Sequence, residues 1–390
     1  MKGISKTVWI LSVVSLFTDV ASEMLYPVMP VYLKSIGFSV VFIGVLEGLA
    51  EATAGLSKGY FGKLSDVTGK RMPFVQIGYL LSSLSRPLMA MFTYPLWIFF
   101  VRTTDRLGKG VRTAARDAIL SDEATKETKG KIFGLHRSMD TFGAVLGPLA
   151  ALAYLYYFPG DYINLFYFAF IPGILAVAAS FLLKDKPKKT VEIRKPIGFL
   201  TFMNYWNTAP AQYRKLLLGL LAFTLFNSSD VFLLLKAKES GLDDLMVIAI
   251  YVFYNLIYAV FALPAGLLAD KFSLKSVYIF GLFLFAIVYF GMSVSTNLYF
   301  TLFLFFVYGL YSAATEGISK AWISNIADKK DTATAIVLYT GLQSIFTLLA
   351  SSVTGVIWYN YGGFEAFIIS ASMTVLIAFY IVFKVAKPNH

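Results

Sequence analysis

The sequence predicts an all-α polytopic membrane protein whose twelve transmembrane helices form two six-helix bundles, and three observations predict it. The first is composition: 57% of the 390 residues are hydrophobic and 15% are charged, with a mean hydropathy of +0.68. A soluble domain carries roughly 25% charged residues. The second is periodicity. Apolar runs of roughly 20 or more residues recur about twelve times, each long enough to cross ~30 Å of hydrocarbon. The third is a single long hydrophilic stretch, roughly 184–215, that divides the runs six and six. Backbone in lipid must satisfy its own hydrogen bonds, and the alternating pattern of a membrane barrel is absent, so the runs are helices.

In order, the first run spans 8–33 and carries Asp19 and Glu23, one turn apart. Those acids, and the lack of a small-residue cleavage site, separate it from a secretory leader. The second (38–61) carries Glu47 and Glu51, also one turn apart, and the third (73–93) carries Arg86 just before Pro87. The fourth (95–120) holds the stretch RTTDRLGKGVRTAARD from Arg102 to Asp117. Its Arg102, Asp105, Arg106, Lys109, Arg112 and Arg116 fall three or four residues apart and so share one helical stripe. A charge at the bilayer centre costs several kcal/mol, so that stripe must line a wet cavity or meet counter-charges on neighbouring helices. The fifth run (131–157) opens on His136, Arg137 and Asp140, with His136 and Asp140 on one face; the sixth is 162–183.

These six runs form a first bundle, 1–183. A linker, 184–213, follows, and its aromatic middle "IGFLTFMNYW" is expected to lie in the membrane interface as a short helix. The second bundle, 214–390, takes runs 214–237, 243–268, 274–296, 298–324, 332–359 and 362–386. It is drier, with Asp230 in the "NSSD" of its first run and Glu316 one turn before Lys320. The electrostatic work is therefore expected in the first bundle, with walls and a gate from the second. Asn227, Ser228, Ser229 and the tyrosines 251, 254, 258, 308 and 311 are expected to pack or wall a cavity.

The net charge of +11 reports topology rather than a nucleic-acid partner. With the N-terminus inside, Lys63, Lys70, Arg71, Lys126, Lys129, Lys131, Lys184, Lys186, Lys188 and Lys189 all fall in loops on one side, against little beyond Lys34 and Lys238 on the other. That asymmetry places both termini in the cytoplasm and the chain in the cell's inner membrane. No cysteine is present, so disulfides, thiolate metal sites and iron–sulfur clusters are excluded. The phosphate-binding G-x-x-x-x-G-K-[ST] loop, the G-x-S-x-G elbow and the H-E-x-x-H zinc site are missing too. The expectation is a protein that is not an enzyme, with no cofactor and no metal.

The halves repeat. "GKLSDVTGKR" (Gly62 to Arg71) follows the second run and "GLLADKFSLK" (Gly266 to Lys275) the eighth, 204 residues later, with Ser273 where the first copy has Gly69. Two halves related by a parallel repeat are a transporter architecture. With these motifs the chain resembles the major facilitator superfamily over its whole length. "GKLSDVTGKR" is similar to that family's signature loop, "RLGKG" (Arg106 to Gly110) to its R-x-x-x-G pattern, "GAVLGP" (Gly143 to Pro148) to the pattern of its antiporters, and "YPVMP" (Tyr26 to Pro30) to its drug–proton antiporters.

The resemblance implies a twelve-helix fold with a 6+6 pseudo-twofold repeat, transport by alternating access, and a conformational latch at Gly62, Asp66, Gly69, Arg71 and the repeat's Asp270. Gly143, Gly147 and Pro148 are expected to shape helix packing, since G-x-x-x-G admits a close neighbour and proline bends the helix. The charged fourth run differs from the drug-exporter pattern and turns the expected substrate toward a polar or anionic solute. Arg102, Arg106, Lys109 and Arg112, with Asp230 and Glu316, are the expected substrate contacts. Asp19, Glu23, His136 and Asp140 are the expected proton carriers, being buried carboxyls and the one internal histidine.

The expected function is a proton-coupled secondary transporter, monomeric in the bilayer, with efflux by antiport favoured. The alternative is uptake by symport of an organic anion or a carboxylate-type metal chelate. A receptor or sensor would need an output domain that the few residues after the last run leave no room for, and a channel would leave the latch loops without a role.

Overall fold

A computed structural model describes residues 4–26, 28–38, 40–185, 201–239 and 244–385. Among them the regular elements are helical. They are α1 (Lys6–Glu23), α2 (Met29–Ser35), α3 (Val40–Thr68), α4 (Met72–Met91), α5 (Pro95–Asp122), α6 (Lys129–Tyr157), α7 (Tyr162–Ser180), α8 (Tyr205–Thr208), α9 (Ala211–Phe226), α10 (Val231–Glu239), α11 (Asp244–Phe272), α12 (Leu274–Val294), α13 (Leu298–Ile326), α14 (Thr332–Tyr361) and α15 (Gly363–Lys384). Short 3₁₀ turns, Lys126–Thr128 and Thr201–Asn204, precede α6 and α8.

Two expected runs are not continuous. The first is split into α1 and α2, with a turn from Met24 in the "YPVMP" stretch; the seventh is split into α9 and α10 by Asn227–Asp230. The physical reason is local. Proline lacks a donor for the helical ladder, and Asn, Ser and Asp offer the backbone side-chain alternatives to it. The two breaks fall at matching places in the repeat.

The other boundaries follow capping chemistry. Ser5 accepts from the Val8 N–H at the start of α1, Pro95 opens α5, and Asn297 accepts from Tyr299 and Phe300 to start α13. Among the described residues, seven helices are long and apolar enough to cross a membrane by length and composition alone. The charged α5 and the broken first and seventh runs are not among them. Large apolar side chains such as Phe280, Ile287, Phe290, Leu348, Val356 and Phe383 are exposed, as lipid-facing surfaces require.

The chain divides into two compact units. The first takes residues 1–123, 139–205 and 329–338, and the second 124–138, 206–328 and 339–390. In the first, α5 packs on α3 and α4, and α7 on α1 and α4. The phenyl ring of Phe202, in the expected interfacial segment, lies against Gly59 of α3, where no β-carbon would fit. Residues 197–200 of that segment lie outside the described residues. In the second unit, α13 packs on α11 and α12, and α15 on α12 and α9. A ring cluster of Phe223, Phe285, Tyr289 and Tyr311 fills its centre.

Candidate functional site

In the first unit the "GAVLGP" glycines bring α6 onto α1. A β-carbon at Gly143 would meet the Leu16 carbonyl at 2.6 Å, and one at Gly147 the Val20 carbonyl at 2.7 Å. Only glycine allows backbones this close. One turn before Gly143 stands Asp140, and across from it Asp19; the close approach puts their carboxyl groups in hydrogen-bonding contact. Ser15, one turn before Asp19, donates from its hydroxyl to Asp140, and Arg116 of α5 donates from Nη1 to that hydroxyl at 3.3 Å. Arg116 also holds its neighbour Asp117, through Nε at 3.1 Å and Nη2 at 3.0 Å. Glu23 and Lys109 are within electrostatic reach of Asp19.

The α5 stripe continues from there. Gly108 lies against the Gly78 carbonyl of α4 at 2.6 Å, measured from the β-carbon it lacks, so "RLGKG" is also a packing motif. Arg112 is buried on that face. Its Nη1 donates to Ser82 at 2.6 Å and its guanidinium lies 4.8 Å over the Tyr79 ring. Asp105 sits in the field of four guanidiniums, those of Arg106, Arg102, Arg86 and Arg112. Its contact with Arg102 measures 3.4 Å. Four guanidiniums gathered about one half-buried carboxylate form a cationic cluster in an apolar setting.

The second unit holds Asp230 and Glu316. Asp230 accepts from the Tyr254 hydroxyl and, at 3.5 Å, from Ser229. Asn227 donates to Tyr311 at 2.9 Å. Tyr254, Tyr308 and Tyr311 pack ring to ring beside this break in the helix. Glu316 pairs with Arg137, which also donates to the Tyr258 hydroxyl and lies over its ring. His136 is 4% exposed on the same segment.

Both copies of the repeated loop make the same contact. Asp66 accepts from the Thr334 N–H and hydroxyl, each at 2.9 Å, in the first turn of α14. Asp270 accepts from the Gly130 and Lys131 N–H groups, each at 2.7 Å, in the first turn of α6. Each carboxylate thus caps the orphan donors and the positive end of another helix. Arg71 donates to Asp66 at 2.9 Å and to Asp122, while Asp185 accepts from the Arg71 and Met72 N–H groups at 3.0 and 2.9 Å. Gly69 takes φ +65°, which its lack of a β-carbon permits. Ser273, in the matching place, takes φ 149° and caps Ser276 with its hydroxyl.

With this geometry, comparison with known proteins is decisive. The family description Major Facilitator Superfamily matches residues 11–253 and again 198–390. The chain belongs to the major facilitator superfamily. It is 33% identical over 363 residues to the uncharacterized MFS-type transporter MJ1317 of Methanocaldococcus jannaschii, covering 92% of this chain and 89% of that one. It is 28% identical over 169 residues to the quinolone resistance protein NorA of Staphylococcus aureus, covering 42% and 41%. In fold it is similar to the human organic anion transporter MFSD10 (TETRAN), with a TM-score of 0.82 at 14% identity, covering 96% and 98%. The superfamily consists of transporters, not enzymes.

In this superfamily member the structure brings Asp19 and Asp140 together, gathers Arg102, Arg106 and Arg112 around Asp105, and leaves Asp230 and Glu316 in the other unit. Glu316 meets Arg137 rather than only its sequence neighbour Lys320. The side chains of Glu47 and Glu51 lie outside the described residues. Sequence reasoning passed over Ser15, Asp122 and Asp185. Ser15 carried a signal, one turn before Asp19; the other two sit at helix ends and had none.

Proposed function

We propose that this protein is a proton-coupled secondary transporter of the cytoplasmic membrane, moving a polar or anionic small molecule by alternating access. The observation that carries the coupling is the contact between Asp19 and Asp140. Two carboxyl groups this close cannot both carry charge at low cost, so the pair is where a proton is taken up and released. Ser15 and Arg116 stand ready to stabilise the unloaded pair. Glu23 and His136 serve as neighbouring relay groups on α1 and α6. The arginines around Asp105, with Lys109, attract the solute, and Asp230 and Glu316 are further substrate-binding groups. Asp66 and Asp270 hold the resting state by capping α14 and α6.

Export by antiport is the favoured direction, supported by "GAVLGP", "YPVMP" and the partial likeness to NorA. Uptake by symport of an organic anion or a carboxylate-type metal chelate is the second reading, favoured by the gathering of arginines about Asp105. Residues 1–183 and 214–390 act as the two bundles, joined by 184–213, in a monomer with both termini cytoplasmic.

The test begins with a thermal-shift screen of organic acids, drugs and metal chelates, followed by flux of the stabilising compound in proteoliposomes. An imposed pH gradient drives accumulation, and Asp19→Asn abolishes that accumulation while leaving solute exchange measurable. Flux indifferent to the gradient sinks proton coupling.

A further inference from the structure

Arg86 belongs neither to the α5 stripe nor to the carboxyl pair, yet it is 4% exposed in the middle of α4. Its Nε donates to the Ala21 carbonyl at 3.3 Å and its Nη2 to the Thr18 carbonyl at 3.5 Å. Those two oxygens bracket Asp19 on α1. Its Nη1 has no hydrogen-bond partner among the described residues. That nitrogen occupies the space over Gly173 of α7, where a β-carbon would stand 2.6 Å from it. The fold therefore makes room for a guanidinium and leaves one edge of it unused. Buried donors are almost always satisfied, and an anchor would have every donor filled.

Two carboxyl groups lie in the field of Arg86, Asp105 and Asp19. Asp105 has Arg102, Arg106 and Arg112 besides. Asp19 faces Asp140 from α6, Glu23 from α1 itself, Lys109 and Arg112 from α5, and Arg86 from α4, while Asp140 faces Arg116 from α5. From Phe168 to Ser180, α7 carries no ionisable side chain to add to these.

We propose that Arg86 is a second counter-charge of the unloaded proton site, acting at Asp19 as Arg116 acts at Asp140. When the proton leaves the Asp19–Asp140 pair for water, the guanidinium of Arg86, which already grips the α1 turn on either side of Asp19 through Nε and Nη2, offsets the new negative charge. Arg86 touches no substrate in this scheme; it is a positioning residue that sets the proton affinity of the pair. The inference rests on the proton-coupled reading above.

Infrared titration of the protonated-carboxyl stretch, on the full-length protein in liposomes, tests it without any substrate. The band lost in Asp19→Asn identifies the pair. In Arg86→Gln its midpoint moves to higher pH by about one unit, a tenfold change in proton affinity. Arg86→Lys, which keeps the charge, stays near the wild-type midpoint. An unchanged midpoint in Arg86→Gln overturns the proposal, whatever happens to stability. Should that variant fail to fold, Gly173→Ala displaces the guanidinium while keeping its charge, and an unchanged midpoint there overturns it equally. Absence of any Asp19-dependent band in the wild type removes the proton pair itself, a distinct failure.

Discussion

A β-carbon at Gly143 would collide with the Leu16 carbonyl and with Asp19 Cβ, 2.8 Å away, whereas one at Gly55 of α3 would meet nothing within 4 Å. The two glycines therefore answer differently to the same change. Gly143→Leu should cost about 1–3 kcal/mol in strain, lower the melting temperature in detergent and separate Asp19 from Asp140. Gly55→Ala should be neutral or stabilise by up to about 1 kcal/mol through helix propensity. Equal melting temperatures for the two variants would remove the packing role of "GAVLGP". At this scale the residue types were legible in the sequence and their partners were not. The spacing put Arg112 in a charged stripe; its actual company, Ser82 and the Tyr79 ring, comes from a helix packed beside it.

Helix ends carry the next set of consequences. Asp66 and Asp270 each satisfy first-turn N–H groups of a distant helix, and such caps contribute about 1 kcal/mol. Asp66→Asn should loosen the start of α14, raising cysteine-labelling of a Thr332→Cys reporter several-fold and slowing transport; an unaltered labelling rate would argue against a latch. Asp270→Asn should do the same at the start of α6. A third cap responds to pH. Asp161, at the start of α7, accepts from the Asn164 amide and from the Tyr154 hydroxyl, which hold its carboxyl below the ordinary value. Its contribution is complete above the ordinary carboxylate range and fades as pH falls through the depressed value. Asp161→Asn should remove that acid-side dependence of thermal stability and lower the melting temperature at neutral pH toward the wild type's acid value. The repeat was legible as two matching loops 204 residues apart, and the structure gives the match its physical content, since the capped positions, Gly130 and Thr334, are also 204 apart.

For the whole molecule, the asymmetry of lysine and arginine predicts that both termini face the cytoplasm. Fluorescent-protein and phosphatase fusions at each end check this. Fluorescence without phosphatase activity is expected at both, and phosphatase activity at either end would invert the assignment. The exposed apolar rings along α12, α14 and α15 predict that the protein aggregates when detergent is diluted and is recovered by lipid.

By itself the sequence determined the helical membrane class, the repeated loop and the superfamily. Those depend on hydrophobic period, length and local motifs, which are written in order along the chain. Tertiary structure decided where the first and seventh runs break, which carboxyls meet, and that Arg86 lies beneath α1 with one edge unused. Such facts depend on which helix faces packs against which, and packing between residues far apart in sequence leaves no mark on the residues one by one. The sequence sets Asp19 beside Glu23 and Asp140 beside His136; only the close approach that Gly143 and Gly147 permit makes the two aspartates a pair.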